Sequence, residues 1–111
     1  MKDIIIEGGN VSGAYEAITI SNVAKGFTST NIQPTSGNFS GRVCQEVFCA
    51  LETDQIRFTL DGTTPTSTIG ILLNPGQRLT IKNPEDISNF QAIRVTTDAS
   101  LKVIYKYSSR A

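Results

Sequence analysis

Apolar and polar residues alternate along much of this chain with a period of two. In 55–61, Ile56, Phe58 and Leu60 point one way while Arg57, Thr59 and Asp61 point the other. In 101–108, Leu101, Val103, Tyr105 and Tyr107 share a face opposite Lys102, Ile104 and Lys106. In 42–52, Val43, Val47, Cys49 and Leu51 share a face, with Gln45 as the polar exception. Half-apolar strands of this kind suit antiparallel sheets covered on one side. The expected strands are 3–7, 16–22, 25–32, 42–52, 55–61, 69–73, 78–83, 90–97 and 101–108. Gly, Pro, Asn, Asp and Ser clusters separate them, and no long helical period occurs. The pattern predicts an all-β fold, an antiparallel β-sandwich with the jelly roll as one form of it. The 111 residues form a single domain of common size.

The connections carry their own chemistry. "NPGQ" (74–77) puts Pro and Gly at the centre of a turn, as type II requires. "NPEDISNF" (83–90) predicts one helical turn, with Pro84 at its first position and Glu85 and Asp86 at the positive end of its dipole. "TDAS" (97–100) reads as a short hairpin link, "QPTSGNFSG" (33–41) as a long loop, and 108–111 as a tail.

The stretch "RFTLDGTTPTSTIG" (57–70) is the least ordinary. Asp61 can accept a backbone hydrogen bond two residues on, and Gly62 tolerates positive φ. Thr63 and Thr64 can satisfy loop amides, Pro65 fixes φ, and Gly70 permits a bend or close packing. The segment needs no ligand and reads as a rigid corner between consecutive strands.

Ten basic and ten acidic residues cancel, and no basic run occurs, which argues against phosphate-driven nucleic-acid binding. Hydrophobic residues make up 39%, consistent with one or two polar faces. "MKDIIIEGG" does not read as a signal peptide, and no stretch is long enough to span a bilayer. The expectation is synthesis in a cytoplasm, with the triplets at Asn10 and Asn38 as chance glycosylation matches. On one regular strand Cys44 and Cys49 would lie on opposite faces, and both are expected to be free thiols.

With no histidine, the commonest general base and the Ser-His and Cys-His systems are absent. The carboxylate pairs Glu52 with Asp54 and Glu85 with Asp86 sit beside turns and read as solvated. No metal or cofactor pattern is present, so the expectation is a protein that is not an enzyme and uses no cofactor. Without Trp, a sugar-stacking face would fall to Tyr15, Tyr105 or Tyr107.

Two resemblances follow from these residues. "IRFTLDGTTPT" resembles the hairpin of chitobiase-type C-terminal β-sandwich modules, found appended to glycoside hydrolases. More widely, Ile56 to Tyr107 resembles small virion proteins of tailed bacteriophages and prophages. It shares their Arg-containing strand, DGTxPTxxxG, a "PG" turn, an "aIR" strand and a final L-x-V-x-Y strand. That resemblance implies a non-enzymatic structural protein decorating or cementing the outer capsid surface. Its partners would be the major capsid protein and further copies of itself, with a trimer favoured. It would be made in the host cytoplasm and located in the virion, with no nucleic-acid or membrane partner. The alternatives are a carbohydrate-binding β-sandwich module and a tail or fibre accessory. Residues 1–9, with Ile4, Ile5 and Ile6, are a candidate partner-binding arm, set against an ordinary first strand.

Overall fold

A computed structural model describes residues 10–108. The elements run β1 (Asn10–Ile20), α1 (Ser29–Ile32), β2 (Cys44–Glu52), β3 (Ile56–Thr59), β4 (Ile71–Leu73), β5 (Arg78–Ile81), α2 (Pro84–Asn89), β6 (Gln91–Arg94) and β7 (Ala99–Ser108). They form an all-β sandwich of two antiparallel sheets. One has the order β1-β7-β2-β5 and the other β4-β3-β6. The expected strand 3–7, and with it Ile4, Ile5 and Ile6, lies outside the described residues, as do 109–111.

The alternation read from the sequence sets the inner faces. Leu101, Val103, Tyr105 and Tyr107 of β7 are all buried, as are Ile56 and Phe58 of β3. Between the sheets, Phe27 stacks on Phe90 at 4.2 Å and meets Tyr105 edge-on at 5.8 Å, and Phe90 also stacks on Phe58 at 5.9 Å. Ile87 of α2 joins this core. Each fully buried side chain of this size stabilises the fold by about 1.5–3 kcal/mol relative to exposure.

Both turn expectations hold. Gln77 N–H donates to the Asn74 carbonyl at 3.0 Å, with Gly76 at φ 89. The Asn83 side chain accepts from the amides of Glu85 and Asp86, capping α2 with Pro84 in its first turn.

Four expectations are corrected. The segment 25–32 is not a strand: Lys25 makes an isolated bridge to Ala92, and Ser29–Ile32 is a helical turn. The Glu16 carboxylate pins this turn, accepting from Thr28 Oγ1 (2.5 Å), Asn31 Nδ2 (3.1 Å) and the Tyr105 hydroxyl (2.7 Å). The backbone groups a strand would offer to a neighbour are used locally instead: Asn31 and Ile32 N–H donate to the Thr28 carbonyl, and Gln33 N–H to the Ser29 carbonyl. The link 97–100 is not a hairpin, because β6 pairs with β3 whereas β7 pairs with β1 and β2. It carries the chain from one sheet to the other, pinned by an Arg94–Asp98 ion pair and by Thr97 Oγ1 donating to Asp54.

The third correction is that Cys44 and Cys49 do not face opposite ways, since both are fully buried. A register shift between Cys44 and Glu46 breaks the alternation and turns Cys44 inward. For the same reason, and as the fourth correction, Val43 leaves the buried face and is 38% exposed. Both thiols are free.

β1 begins six residues earlier than the expected start at 16. Ser12-Gly13-Ala14 hides its first half, because the ladder with β7 shifts register there. A Cβ on Gly13 would lie 2.6 Å from the Tyr107 ring and 2.8 Å from Phe39, so glycine is what lets these rings close on β1.

Candidate interaction surfaces

The hairpin loop between β3 and β4 contains the corner. Asp61 Oδ1 accepts from the Thr63 amide at 3.0 Å, and Gly62 has φ 90. The Thr63 amide and hydroxyl hold the Asp61 carboxyl below the usual range. Thr59 Oγ1 donates to the Thr63 carbonyl at 2.5 Å, and Pro65 is buried beneath the loop. Thr64 is exposed. Thr66 Oγ1 accepts from the amides of Thr68 and Ile69.

Sequence reasoning missed the brace: Arg57 Nε donates to the Ser67 carbonyl (2.9 Å) and its guanidinium also donates to the Gly70 carbonyl (3.0 Å). At Gly70, φ is 121, and a Cβ would lie 3.1 Å from the Phe58 carbonyl oxygen. Asp61, Thr59, Thr66 and Arg57 each bond a partner inside the loop, whereas the exposed Thr64 does not satisfy a loop amide as expected.

Of the tyrosines, Tyr105 and Tyr107 are buried and bonded, to Glu16 and to the Asn31 carbonyl respectively. Burial first, and then the Glu16 carboxylate, pushes the Tyr105 hydroxyl up; burial pushes Tyr107 up to about 12. Tyr15 differs, being 64% exposed. It lies opposite Ile104 of β7, which lies opposite Phe48 of β2. Tyr15, Ile104 and Phe48 therefore form an apolar row across three strands on the outer face of the four-stranded sheet, with Ile104 and Phe48 half-buried. Lys102 and Lys106 flank the row on β7. The signal for its middle member was present in the sequence, where Ile104 interrupts the lysine side of the last strand. The pairing that completes the row was not.

A second exposed apolar group is Ile69 (51%), Ile71 (61%) and Leu72 (38%), at the edge formed by β4. A groove of about 460 Å³ lies between β1 and the loop after α1, lined by uncharged Thr30, Asn31, Ser36 and Asn38 and by the stacked rings of Phe39 and Tyr107. The carboxylates Glu52 and Asp54 are separate in role: Glu52 lies 3.9 Å from Lys102, and Asp54 bonds the Thr97 hydroxyl and the Gln55 amide. Glu85 and Asp86 sit in the first turn of α2. Among the described residues no helix is long and apolar enough to cross a membrane. Comparisons with protein-family models, with curated proteins and with solved structures find no match.

Proposed function

We propose that this chain is a non-enzymatic virion structural protein of a tailed phage that docks on the outer capsid surface. The observation that carries the reading is the row Tyr15–Ile104–Phe48, an apolar strip on a sheet face that a small sandwich has no internal use for. The resemblance of Ile56 to Tyr107 to phage virion proteins supplies the partner, the major capsid protein. Binding by buried area suits a neutral chain, and the flanking Lys102 and Lys106 would set orientation at the rim. The test is to add purified protein to particles that lack it, then count bound copies and measure the particles' thermal resistance. Binding with raised resistance is expected. Tyr15→Ala should weaken binding at least about tenfold, as loss of a central aromatic does, with an unchanged melting curve. A protein that binds no capsid, or is found at the tail, sinks the decoration reading.

A second reading is carbohydrate binding. It draws on the exposed ring of Tyr15, which could stack on a sugar face, and on the uncharged hydroxyl and amide lining of the groove beside α1. A glycan screen in which Tyr15→Ala abolishes a hit would favour it over capsid docking.

A further inference from the structure

The four sheet edges differ in what they offer a partner. The outer edge of β6 is taken by the segment after β1: Arg94 N–H donates to the Ser21 carbonyl (2.9 Å), and Lys25 and Ala92 exchange bonds of 3.0 and 2.9 Å. β5 shows Arg78 to solvent, and charge on an edge discourages pairing. β4 is 3 residues long, too short to hold another strand by its backbone alone. β1 is 11 residues long. Among the described residues it pairs on one side only, with β7, and no backbone bond outside that ladder involves Ala14 to Ile20.

The stretch 14–20 lacks the features that blunt an edge. It follows the register shift at Gly13, so its ladder with β7 is regular. It contains no proline, lysine or arginine. Its one charged side chain, Glu16, has the parity of the buried Ile18 and Ile20 and points inward, where Thr28, Asn31 and Tyr105 bond its carboxylate. On the outer face Tyr15, Ala17 and Thr19 are exposed, Tyr15 to 64%. An unblocked row of amides and carbonyls is a template for another strand.

We propose that β1 of a second copy of the chain pairs antiparallel with this stretch about a two-fold axis at Ala17, so that Ala17 lies opposite its own equivalent. Register selects the residue. A two-fold centred on Glu16 would set two glutamates opposite each other and run the pairing through the shift at Gly13. One centred on Ile18 would shorten the pairing, because the chain leaves the strand after Ile20. The Ala17 register pairs Ala14 to Ile20 throughout and sets Glu16 opposite the partner's Ile18. It also lays the ring of Tyr15 beside the partner's Thr19, with small alanines between the two rings.

A second copy fits this edge in charge and in area. The chain is neutral. Lys102, opposite Ala17 on β7, would lie three strand spacings from the partner's Lys102, about 14 Å, beyond the screening length at physiological salt. Each lysine also has Glu52 at 3.9 Å. About 24 Å of paired strand, along a body whose smallest extent is 21 Å, covers roughly 500 Å² per copy. The total of about 1,000 Å² meets what a specific contact needs. The contact is isologous and closes on itself. It joins two β1-β7-β2-β5 sheets into one and brings both Tyr15–Ile104–Phe48 rows onto one continuous face. The inference is independent of which larger partner that face meets.

The test is Ala17→Cys under mild oxidation. A residue on the axis faces its own equivalent at strand-pair distance, within disulfide reach, and the buried Cys44 and Cys49 do not compete. A disulfide-linked species of twice the chain mass is expected. It should form at least about tenfold faster than from Val23→Cys, a site 67% exposed and off the strand. In sedimentation the full chain should dimerise as its concentration rises. Ala17→Lys and Ala17→Glu should each be monomers with native circular dichroism, because like charges meet on the axis, and an equimolar mixture of the two should dimerise. A full chain that is monomeric at every concentration, or trimeric, overturns the proposal. So does a dimer that survives both charge changes, or an Ala17→Cys chain that cross-links no faster than Val23→Cys. The cysteine pair decides where a charge variant loses its native spectrum. Particle binding is read separately, so a dimer that ignores capsids refutes decoration and leaves this contact standing.

Discussion

Two glycines in the β3–β4 loop differ in what they relieve. Gly62 has φ 90 with no atom within 4 Å of an added Cβ, so a side chain there meets backbone strain alone. Gly70 combines φ 121 with a carbonyl at 3.1 Å. Gly62→Val should cost about 1–3 kcal/mol, and Gly70→Val more than that, read from urea denaturation midpoints. An equal or reversed order would mean that the close approach at Gly70 is easily relieved. The cysteines make a second residue-scale case. Burial pushes both thiols up, Cys49 to about 12, so neither presents a thiolate near neutrality. A thiol reagent should leave the folded protein untouched and titrate two groups per chain after unfolding without reductant. Finding none there, with no intermolecular dimer, would mean that the two are bonded.

At the scale of elements, the short turn α1 depends on one carboxylate. Burial works against the charge on Glu16, but the bonds from Thr28, Tyr105 and Asn31, together with the nearby Lys25 charge, outweigh it and hold the carboxyl below its ordinary 4.5. A folded-state value below the unfolded one stabilises the protein above the unfolded value, and this contribution is lost as pH falls through the folded value. Glu16→Gln should therefore lower stability by about 1 kcal/mol at neutral pH, discounted for partial exposure. The gap between variant and wild type should close on acidification below the ordinary carboxylate range. A gap independent of pH would show that shape rather than charge holds Thr28 and Asn31.

For the whole molecule, topology governs kinetics. Of the pairings β1–β7, β2–β7, β2–β5, β3–β4 and β3–β6, only β3–β4 joins consecutive strands. β7, near the end of the sequence, is the partner of both β1 and β2. The four-stranded sheet thus forms only after long loops close, and such folds refold in roughly milliseconds to seconds. Stopped-flow refolding should show no microsecond phase that recovers the native signal. A fast, complete recovery would indicate that the β3–β4 hairpin alone carries the native signal.

The sequence by itself determined the class of fold and most of the core. Period-two alternation is a local property, so Ile56 and Phe58, or Leu101 to Tyr107, declared their buried face without any knowledge of a partner. The Pro-Gly turn and the Asn83-capped helix were legible for the same reason, since their hydrogen bonds close within four residues. What lay beyond the sequence depends on contacts between distant segments. A bulge opposite Tyr107 turned Cys44 inward, and a carboxylate twelve residues away pinned 28–32 in a turn. The order of strands made 97–100 a crossing between sheets. That order also aligned Tyr15, Ile104 and Phe48, and left Ile71 at an open edge. An exposed surface is what remains after packing, so tertiary structure alone decides which apolar residues are left for a partner.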